Sequence, residues 1–565
     1  MVRKSILILL TILLLGFGIR AYKINNTSLF GDELDFGYQA LSIVQTGKDY
    51  YGNIFPVYFH SLSEWKTSAF IYTLSPFVAL FGISDLGIRL PSIIFGMLSL
   101  LFIYLLVKEL THNTFVALMS AFFLAITPWH IHYSRIGFEA SEMFLAYIAG
   151  VYFFYKGLTK NNLLFLSAFS FAVSLVVYRT QIIFVPATVA LLIWVFYKQL
   201  ITIPKRYLIF PAIIFLAICI PVVSQSLVGN GLQRFSSVSI FDSQKMNYDV
   251  GILRAEDEKY QSKGLMTSFS SKVLHNKYTY YAHGISNNFF KSFSTEFLFI
   301  AGDTNPRQNV PGMGELYKYQ LPFLLVGLLL FVDKKINRKS KILLLGWLFF
   351  SPLSSSLTRD GANHATRLYM MLLPLSILFS YGVYFVYSRF ETRMAKRFFW
   401  IMFTGVSFVF LLNFLHTYFV HYPSASEKWW HSGFKEAIDA VILEKNNYDK
   451  IIISGADEPF EIFFLAWSAY PPKRFQENLF NNKFELKGFG KVSQLDNFLF
   501  TETGVGKDLY SLPKDLPDGY LYLATAKEIT LDLVAEPERM PVDLKLLKTI
   551  TYPSGRPVYY LFSKK

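Results

Sequence analysis

The stretch Phe30-Gly-Asp-Glu-Leu-Asp-Phe-Gly-Tyr38 places two adjacent carboxylates, Asp32 and Glu33, shortly after the first apolar segment of the chain. A carboxylate pair beside a bilayer is costly unless it is solvated or held in a site. Solvated acids on a surface helix are the simpler interpretation. The alternative is a general base that accepts a proton from an acceptor hydroxyl or amine, and Asp32 is our candidate for that role.

The composition around this stretch is typical of a polytopic membrane protein. The chain has 565 residues, of which 53% are hydrophobic and 18% aromatic, which is too apolar for an ordinary soluble enzyme. Apolar segments of suitable length predict about 11 transmembrane helices. They lie near residues 6–17, 90–107, 115–131, 140–155, 162–178, 182–197, 207–224, 317–332, 341–357, 368–387 and 398–419. The first could instead be a signal peptide, but no small-x-small cleavage site follows before Arg20, so we expect an uncleaved helix.

The distribution of charge sets the predicted orientation. The formal net charge is +14, and Lys and Arg concentrate in alternate short loops such as 333–341 and 389–397. Because cytoplasmic loops of membrane proteins collect basic residues, we place the N terminus inside and expect no nucleic-acid partner. The single cysteine, Cys219, excludes an intrachain disulfide.

Two domains are expected. Residues 1–420 form an α-helical membrane domain with a first outer loop at 24–88 and a large outer loop at 225–316. The apolar segment 68–81 is short for a span, so it is interfacial or re-entrant. Residues 421–565 form a small extracytoplasmic α/β domain, with helical spacing at 426–447 and strands at 450–454, 519–524 and 557–562.

Several cations fall on the predicted outer side, against the inside bias: Lys66, Arg89, Arg179, Arg359, His364 and Arg367. Arg89 and Arg179 could snorkel to lipid headgroups. The last three share one tight turn, and arginine forks match phosphate oxygens, so this turn predicts a contact with a lipid phosphate.

Two further outward segments carry polar groups. His130 and His132 are two residues apart, which suits a strand better than a helical zinc pair. Arg135 and Glu139 could form a salt bridge at a helix start; the alternative is that Glu139 holds the sugar, the acceptor or a divalent ion. The Gly- and Pro-rich segment 302–317 is no phosphate-binding loop, since no strand precedes it and no GK[ST] ends it, and we interpret it as a flap over a site.

The order of these elements resembles a known family. Phe30-Gly-Asp-Glu is followed by Gly47-Lys-Asp-Tyr, Lys66-Thr-Ser, Arg89-Leu-Pro-Ser and Pro128-Trp-His. The pattern over residues 5–420 resembles the C-type (GT-C) membrane glycosyltransferases. The likeness is to the branch of protein O-mannosyltransferases and lipid A aminoarabinose transferases, which use polyprenyl-phosphate sugars.

The resemblance implies roles for particular residues. Asp32 matches the proposed catalytic base and Glu33 its neighbour, whereas Glu139 stands where the family usually has Asp. Lys66-Thr-Ser replaces the Lys-Pro-Pro of many relatives, so Lys66 is a candidate phosphate contact. Arg89, Arg359, His364 and Arg367 are further candidates for the donor phosphate, and Arg135, Glu139 and Arg179 for the sugar or acceptor.

The implied activity is an inverting hexosyl or pentosyl transfer, mannosyltransferase-like, from a polyprenyl-phosphate sugar to a protein, lipid or cell-envelope glycan. No cofactor is expected to be obligatory, and if a divalent metal takes part, Asp32 and Glu139 are its expected ligands. We expect a prokaryotic plasma-membrane protein with an extracytoplasmic site. A lipid or solute transporter or flippase is the alternative, although transporters more often carry polar residues at mid-membrane. A non-catalytic scaffold would leave the opposed acids and cations unexplained.

Overall fold

The computed structural model describes residues 2–61, 65–67, 69–228, 238–260, 265–455, 460–480, 492–501, 504–506 and 508–565. Ser68 and parts of the predicted 225–316 loop lie outside these ranges. The chain divides into two compact units. The helical unit contains residues 1–20, 93–134 and 139–414, and the mixed unit contains residues 21–92, 135–138 and 415–565.

The helices of the first 230 residues are α1 (Val2–Ala21), α2 (Gly31–Thr46), α3 (Ala69–Phe81), α4 (Asp85–Thr111), α5 (Thr114–Ile126), α6 (Pro128–Tyr133), α7 (Ala140–Gly157), α8 (Leu163–Val177), α9 (Gln181–Leu200) and α10 (Arg206–Val228). Those up to residue 416 are α11 (Ser243–Tyr260), α12 (Leu265–Leu274), α13 (Lys277–Lys291), α14 (Gln320–Gly327), α15 (Arg338–Ser356), α16 (Ala365–Leu368), α17 (Leu372–Ser388) and α18 (Arg393–His416). Short 3₁₀ or π turns lie at Glu296–Ile300, Leu328–Phe331, Gly361–Asn363, Tyr369–Met371, Thr417–His421 and Pro537–Arg539.

The C-terminal helices are α19 (Tyr422–Ala425), α20 (Phe434–Glu444), α21 (Glu461–Trp467), α22 (Pro472–Phe480), α23 (Leu512–Asp515) and α24 (Ala526–Ile529). The strands are β1 (Tyr58–His60), β2 (Trp65–Thr67), β3 (Lys450–Ser454), β4 (Gln494–Leu495), β5 (Phe498–Thr501), β6 (Tyr520–Thr525), β7 (Leu544–Thr551) and β8 (Pro557–Lys564).

The helical unit is built from apolar helices that pack on one another. In it α7 packs on α8, α8 on α10, α14 on α17, α17 on α5, and α9 on α15. Six described segments are long and apolar enough to cross a membrane, by length and composition. They are Arg3–Ala21, Asp85–Thr111, Gln181–Leu200, Arg206–Gln225, Ala365–Ser388 and Arg393–Ala425, and shorter apolar helices accompany them. Each segment predicted to span the membrane overlaps a helix, whereas the count of eleven spans stays a prediction.

The mixed unit combines residues 21–92 with a sheet near the C terminus. Its six strands run in the order β4-β5-β3-β6-β8-β7, with β3 parallel to β5 and β6 and the remaining pairs antiparallel. Strands lie at the three predicted positions, and β4, β5 and β7 are additional. The extracytoplasmic position of this region stays a prediction.

Helix α2 is the element of the mixed unit that positions the candidate site, although the sequence analysis treated 24–88 as a loop. Phe30 has extended backbone, and its N–H donates to the Glu33 carboxylate at 3.2 Å, which satisfies a donor at the helix start. Gly47, with φ of 69°, ends the helix and donates to the Ile43 carbonyl. Helix α2 packs on α3, α21 and α22, so it is covered on more than one side and shows no simple amphipathic pattern.

Candidate active site

The first turn of α2 carries Asp32 and Glu33, where the exposed N–H groups of a helix start favour negative charge. The two neighbouring acids have different surroundings. The Glu33 side chain is fully buried, whereas 29% of the Asp32 side chain is exposed. Asp32 is thus the member of the pair that a ligand can reach.

Glu33 forms a two-pronged ion pair with Arg89. Arg89 Nε lies 2.8 Å from Oε1 and Nη2 lies 2.9 Å from Oε2. The Gly137 N–H also donates to Oε1, at 2.7 Å. A Cβ on Gly137 would lie 2.3 Å from Ile88 Cγ2, so only glycine allows the backbone to approach this closely. Glu33 therefore joins segments that are far apart in the sequence.

The remaining N–H groups of Arg89 are also engaged. They donate to the carbonyls of Ile24, Thr27 and Ser28 and to the Asp85 carboxylate, at 2.8 to 3.0 Å. The Arg89 side chain is 1% exposed. This geometry favours a structural role for Arg89, holding the entry to α2, over both the predicted phosphate contact and the snorkelling alternative.

Lys66 lies between two carboxylates. The hairpin β1–β2, with Phe59 opposite Lys66, brings its ammonium to 2.8 Å from Asp32 Oδ1 and 3.1 Å from Asp35 Oδ2. The ammonium also lies 4.3 Å from the centre of the Phe36 ring. The structure thus brings Asp32 and Lys66 together, and it adds Asp35, whose spacing of three from Asp32 is the sequence signal that could have identified it.

Residues near the C terminus hold α2 along its length. The Phe30 ring packs edge-on against Trp430, and the Tyr38 hydroxyl donates to the Tyr470 carbonyl at 2.9 Å. Gln476 donates at 2.7 Å to the Asp49 carbonyl and at 3.1 Å to the hydroxyls of Ser42 and Thr46. The region after residue 420 is therefore part of the scaffold of the candidate site.

Arg135 also lies in the mixed unit, where it fixes a turn. Its Nη2 donates to the Lys23 carbonyl at 2.8 Å, and its guanidinium lies 5.3 Å from the Tyr418 ring centre and 4.8 Å from that of Phe419. Arg135 is buried. The structure shows it in this packing role, and a sugar or acceptor contact stays a prediction.

Several predicted residues of the helical unit surround Tyr178. Arg367, Glu139, Arg179 and Asp360 all lie within electrostatic reach of the Tyr178 hydroxyl. These charges act on one half-buried side chain, so the structure places Glu139, Arg179 and Arg367 in one neighbourhood. Glu139 is buried at the N-terminal boundary of α7.

The turn 358–367 separates its three cations. Arg367 pairs with Asp360 and donates to the Thr358 hydroxyl at 2.7 Å, and His364 lies 4.0 Å from Asp360. Burial acts to raise the pKa of Asp360, but the Arg367 guanidinium and its hydrogen bond hold that pKa below the usual value. Arg359 instead pairs with Asp242 at 3.0 Å. His364 and Arg367 thus form one group, and Arg359 belongs to another.

The segment 302–317, interpreted as a flap, is fastened to its neighbours. Asp303 accepts the N–H of Ala365 at 2.8 Å and that of Asn305 at 2.8 Å. The His132 ring nitrogen lies 2.8 Å from the Arg307 carbonyl. Burial raises the pKa of Asp303, and burial together with Asp303 raises that of Glu315 well above its ordinary value. Sequence reasoning did not single out Asp303, since its partners are distant in sequence.

The two histidines of 128–133 lie on helix α6 and not on the expected strand. The ring nitrogens of His130 lie 2.7 Å from Arg20 Nη2 and 2.8 Å from the Ser99 hydroxyl. His130 is fully buried beside the Arg20 guanidinium, an environment that disfavours a second positive charge on its ring. His130 therefore belongs to a packing network around Arg20.

No group of three or more His, Cys, Asp or Glu side chains that could hold a metal ion occurs within the described ranges. The predicted ligand Asp32 has the Lys66 ammonium at 2.8 Å from one of its oxygens. A second cation at that oxygen does not fit this pairing, so no step below is routed through a metal.

Comparison with known proteins gives a family model that matches part of the chain. The model of dolichyl-phosphate-mannose-protein mannosyltransferases matches residues 66–224. The matched region begins at Lys66. No curated protein sequence matches the chain significantly.

Solved structures of other membrane proteins are similar to most of the chain. ArnT from Cupriavidus metallidurans in the apo state is 10% identical, with a TM-score of 0.51 over 99% of this chain and 97% of that one. ArnT bound to undecaprenyl phosphate gives a TM-score of 0.50, with the same identity and coverage. Archaeal AglB from Archaeoglobus fulgidus, in complex with an inhibitory peptide and a dolichol-phosphate, is 11% identical, with a TM-score of 0.49 over 82% of this chain. The chain spans 63% of the length of that AglB.

The class that these findings define is an integral membrane protein with the GT-C fold. The chain resembles the glycosyltransferases of the protein O-mannosyltransferase and ArnT branch, which confirms the resemblance predicted from the sequence.

Proposed function

We propose that the protein is a membrane glycosyltransferase that moves a sugar from a polyprenyl-phosphate donor to an acceptor. The acceptor is a protein, a lipid or a cell-envelope glycan, and the transfer takes place on the outer face of a prokaryotic plasma membrane. The observation that carries the proposal is the pairing of a partly exposed carboxylate, Asp32, with a buried ammonium, Lys66, at 2.8 Å. Transfer from a lipid phosphate needs this combination, a base for the acceptor and a cation for the leaving phosphate.

In the proposed reaction, Asp32 takes the proton from the acceptor hydroxyl or amine. The acceptor atom attacks the anomeric carbon from the side opposite the phosphate, and the bond between that carbon and the phosphate oxygen breaks. Polyprenyl phosphate leaves with the electron pair, and the anomeric configuration inverts. Lys66 stabilises the negative charge that develops on the phosphate.

Glu33 and Arg89 support this chemistry by position. Their buried ion pair holds the first turn of α2 against the Ile24–Ser28 backbone, and so fixes the direction of the Asp32 side chain. His364 and Arg367 remain candidates for the donor phosphate, and Glu139 and Arg179 for the sugar or acceptor. A mannosyl donor is the first to test, because the matching family model is that of mannosyltransferases.

The test uses purified protein in detergent with a panel of polyprenyl-phosphate sugars, and mass spectrometry follows the release of free polyprenyl phosphate. We expect slow release by transfer to water with one member of the panel, and faster release when the true acceptor is present. Donor that binds but crosses reconstituted vesicles intact, with no release, would support the transporter alternative. Binding of no donor at all would remove the enzyme assignment.

A further inference from the structure

A third carboxylate lies one helical turn after Asp32 and has no part in the reaction described so far. Asp35 is on the same face of α2, and its side chain is 5% exposed, against 29% for Asp32. A buried carboxylate is costly unless it is paired and hydrogen-bonded. Its contacts therefore indicate what it does.

The two oxygens of Asp35 have different contacts: Oδ1 accepts a hydrogen bond, whereas Oδ2 takes part in an ion pair and accepts no hydrogen bond from the described residues. The Tyr50 hydroxyl donates to Oδ1 at 2.8 Å, and the Lys66 ammonium lies 3.1 Å from Oδ2. Tyr50 is itself fully buried, and its ring packs against those of Tyr38 and Phe475. The orientation of Asp35 is thus fixed by the core of the mixed unit.

Lys66 consequently has two different carboxylate partners. Asp35 is buried and held rigidly, whereas Asp32 is partly exposed, and the Lys66 side chain is 4% exposed. A lysine ammonium has three rotatable donors, so it can keep one partner while it exchanges another. Two further titratable groups lie within electrostatic reach of Asp35: burial raises the pKa of the Tyr51 hydroxyl and the Asp35 charge contributes to this rise, whereas that charge opposes the lowering of the pKa of His60 by burial.

A base that is paired with an ammonium is less able to accept a proton than a free one. For Asp32 to act as a base, the ammonium must turn to another anion at the moment of reaction, and the donor phosphate supplies that anion. If Asp32 were the only carboxylate near Lys66, this exchange would leave the buried ammonium without a protein counter-charge.

We propose that Asp35 is a positioning residue that anchors the Lys66 ammonium, so that Lys66 can turn from Asp32 to the donor phosphate while it keeps a protein counter-charge. Tyr50 holds Asp35 in the orientation that this needs. The inference rests on the proposed function, because it names Asp35 as the residue that lets Asp32 act as the base and Lys66 contact the phosphate in that reaction.

The test is a double-mutant cycle on the release of polyprenyl phosphate, with Asp35→Asn, Lys66→Gln and the double variant. If Asp35 acts through Lys66, Asp35→Asn lowers kcat/KM by about tenfold or more when Lys66 is present and by less than about threefold in the Lys66→Gln background. Tyr50→Phe, which keeps both charges, gives a smaller loss with the same dependence on Lys66.

Three outcomes would overturn the inference. Full activity of Asp35→Asn would remove its role, and an equal loss in both backgrounds would assign Asp35 to stability alone. If Asp35→Asn does not fold, as judged by thermal unfolding, Tyr50→Phe replaces it in the cycle and an equal loss in both backgrounds has the same meaning. Wild-type protein that turns over no donor would overturn the proposed function, and the inference with it.

Discussion

Replacement of Glu33 by glutamine keeps the shape of a fully buried side chain and removes its charge. In wild type the Glu33 carboxylate accepts two N–H groups of Arg89, at 2.8 and 2.9 Å, and the Gly137 N–H, at 2.7 Å. The substitution removes this negatively charged acceptor. The glutamine NH₂ can accept from none of these donors, and Arg89 loses its main counter-charge. Breaking a buried pair by removal of one partner costs about 3–5 kcal/mol.

The assay is thermal unfolding of purified protein in detergent. For a cooperative unit of about 150–250 residues, 1 kcal/mol corresponds to about 2–4 °C in Tm, so we expect Glu33→Gln to lower Tm by at least about 6 °C. Glu436→Gln is the matched control, because Glu436 is exposed on α20 and its change should stay within about 0.5 kcal/mol. An unchanged Tm in Glu33→Gln, together with lost donor turnover, would refute the structural role and make Glu33 a catalytic residue.

Three further changes test other parts of the structure. The pKa of Asp360 is lowered by Arg367, so the pair contributes stability above the ordinary carboxyl pKa and loses it as the pH falls through the lowered value. Asp360→Asn should therefore have a slightly lower free energy of unfolding than wild type at pH 7, by less than about 1 kcal/mol because the side chain is 62% exposed, and the difference should vanish in strong acid; a difference that grows in acid would contradict this. Gln476→Leu leaves the Asp49 carbonyl and the hydroxyls of Ser42 and Thr46 without their amide donor. Comparison of the unfolding of the variant and the wild type should show a free energy of unfolding lower by about 1–3 kcal/mol. Asp303→Asn replaces one of the two carboxylate oxygens that accept the N–H groups of Asn305 and Ala365, so tryptic cleavage after Arg307 should be faster than in wild type, and equal rates would show that Asp303 does not fasten the segment.

The membrane helices could be predicted from the sequence because burial in lipid demands long apolar segments. Every predicted span overlaps a helix, and Asp32 was identified from its place after the first of them. Helix α2 was missed, since packing on α3, α21 and α22 buries it on more than one side. Strand β7 was also missed because lysines interrupt its apolar residues.

Side-chain partners distant in sequence could not be predicted from spacing. Glu33 and Arg89 are 56 residues apart and were assigned separately to catalysis and to phosphate binding, whereas the structure joins them in one buried pair. Arg359 and Arg367 are close in sequence, yet each pairs with a different carboxylate. Proximity along the chain therefore identified the polar regions but not which side chains pair with one another within them.

The central claim is that Asp32 is the base of a sugar transfer from a lipid phosphate. The most direct measurement compares the rate of polyprenyl phosphate release by wild type, Asp32→Asn and the control Asp439→Asn. Asp439 pairs with Lys435 on the exposed face of α20. The account predicts a fall of at least about 100-fold in Asp32→Asn, about 2.7 kcal/mol of transition-state stabilisation, with Asp439→Asn unchanged. Release by Asp32→Asn within about threefold of wild type would contradict the account.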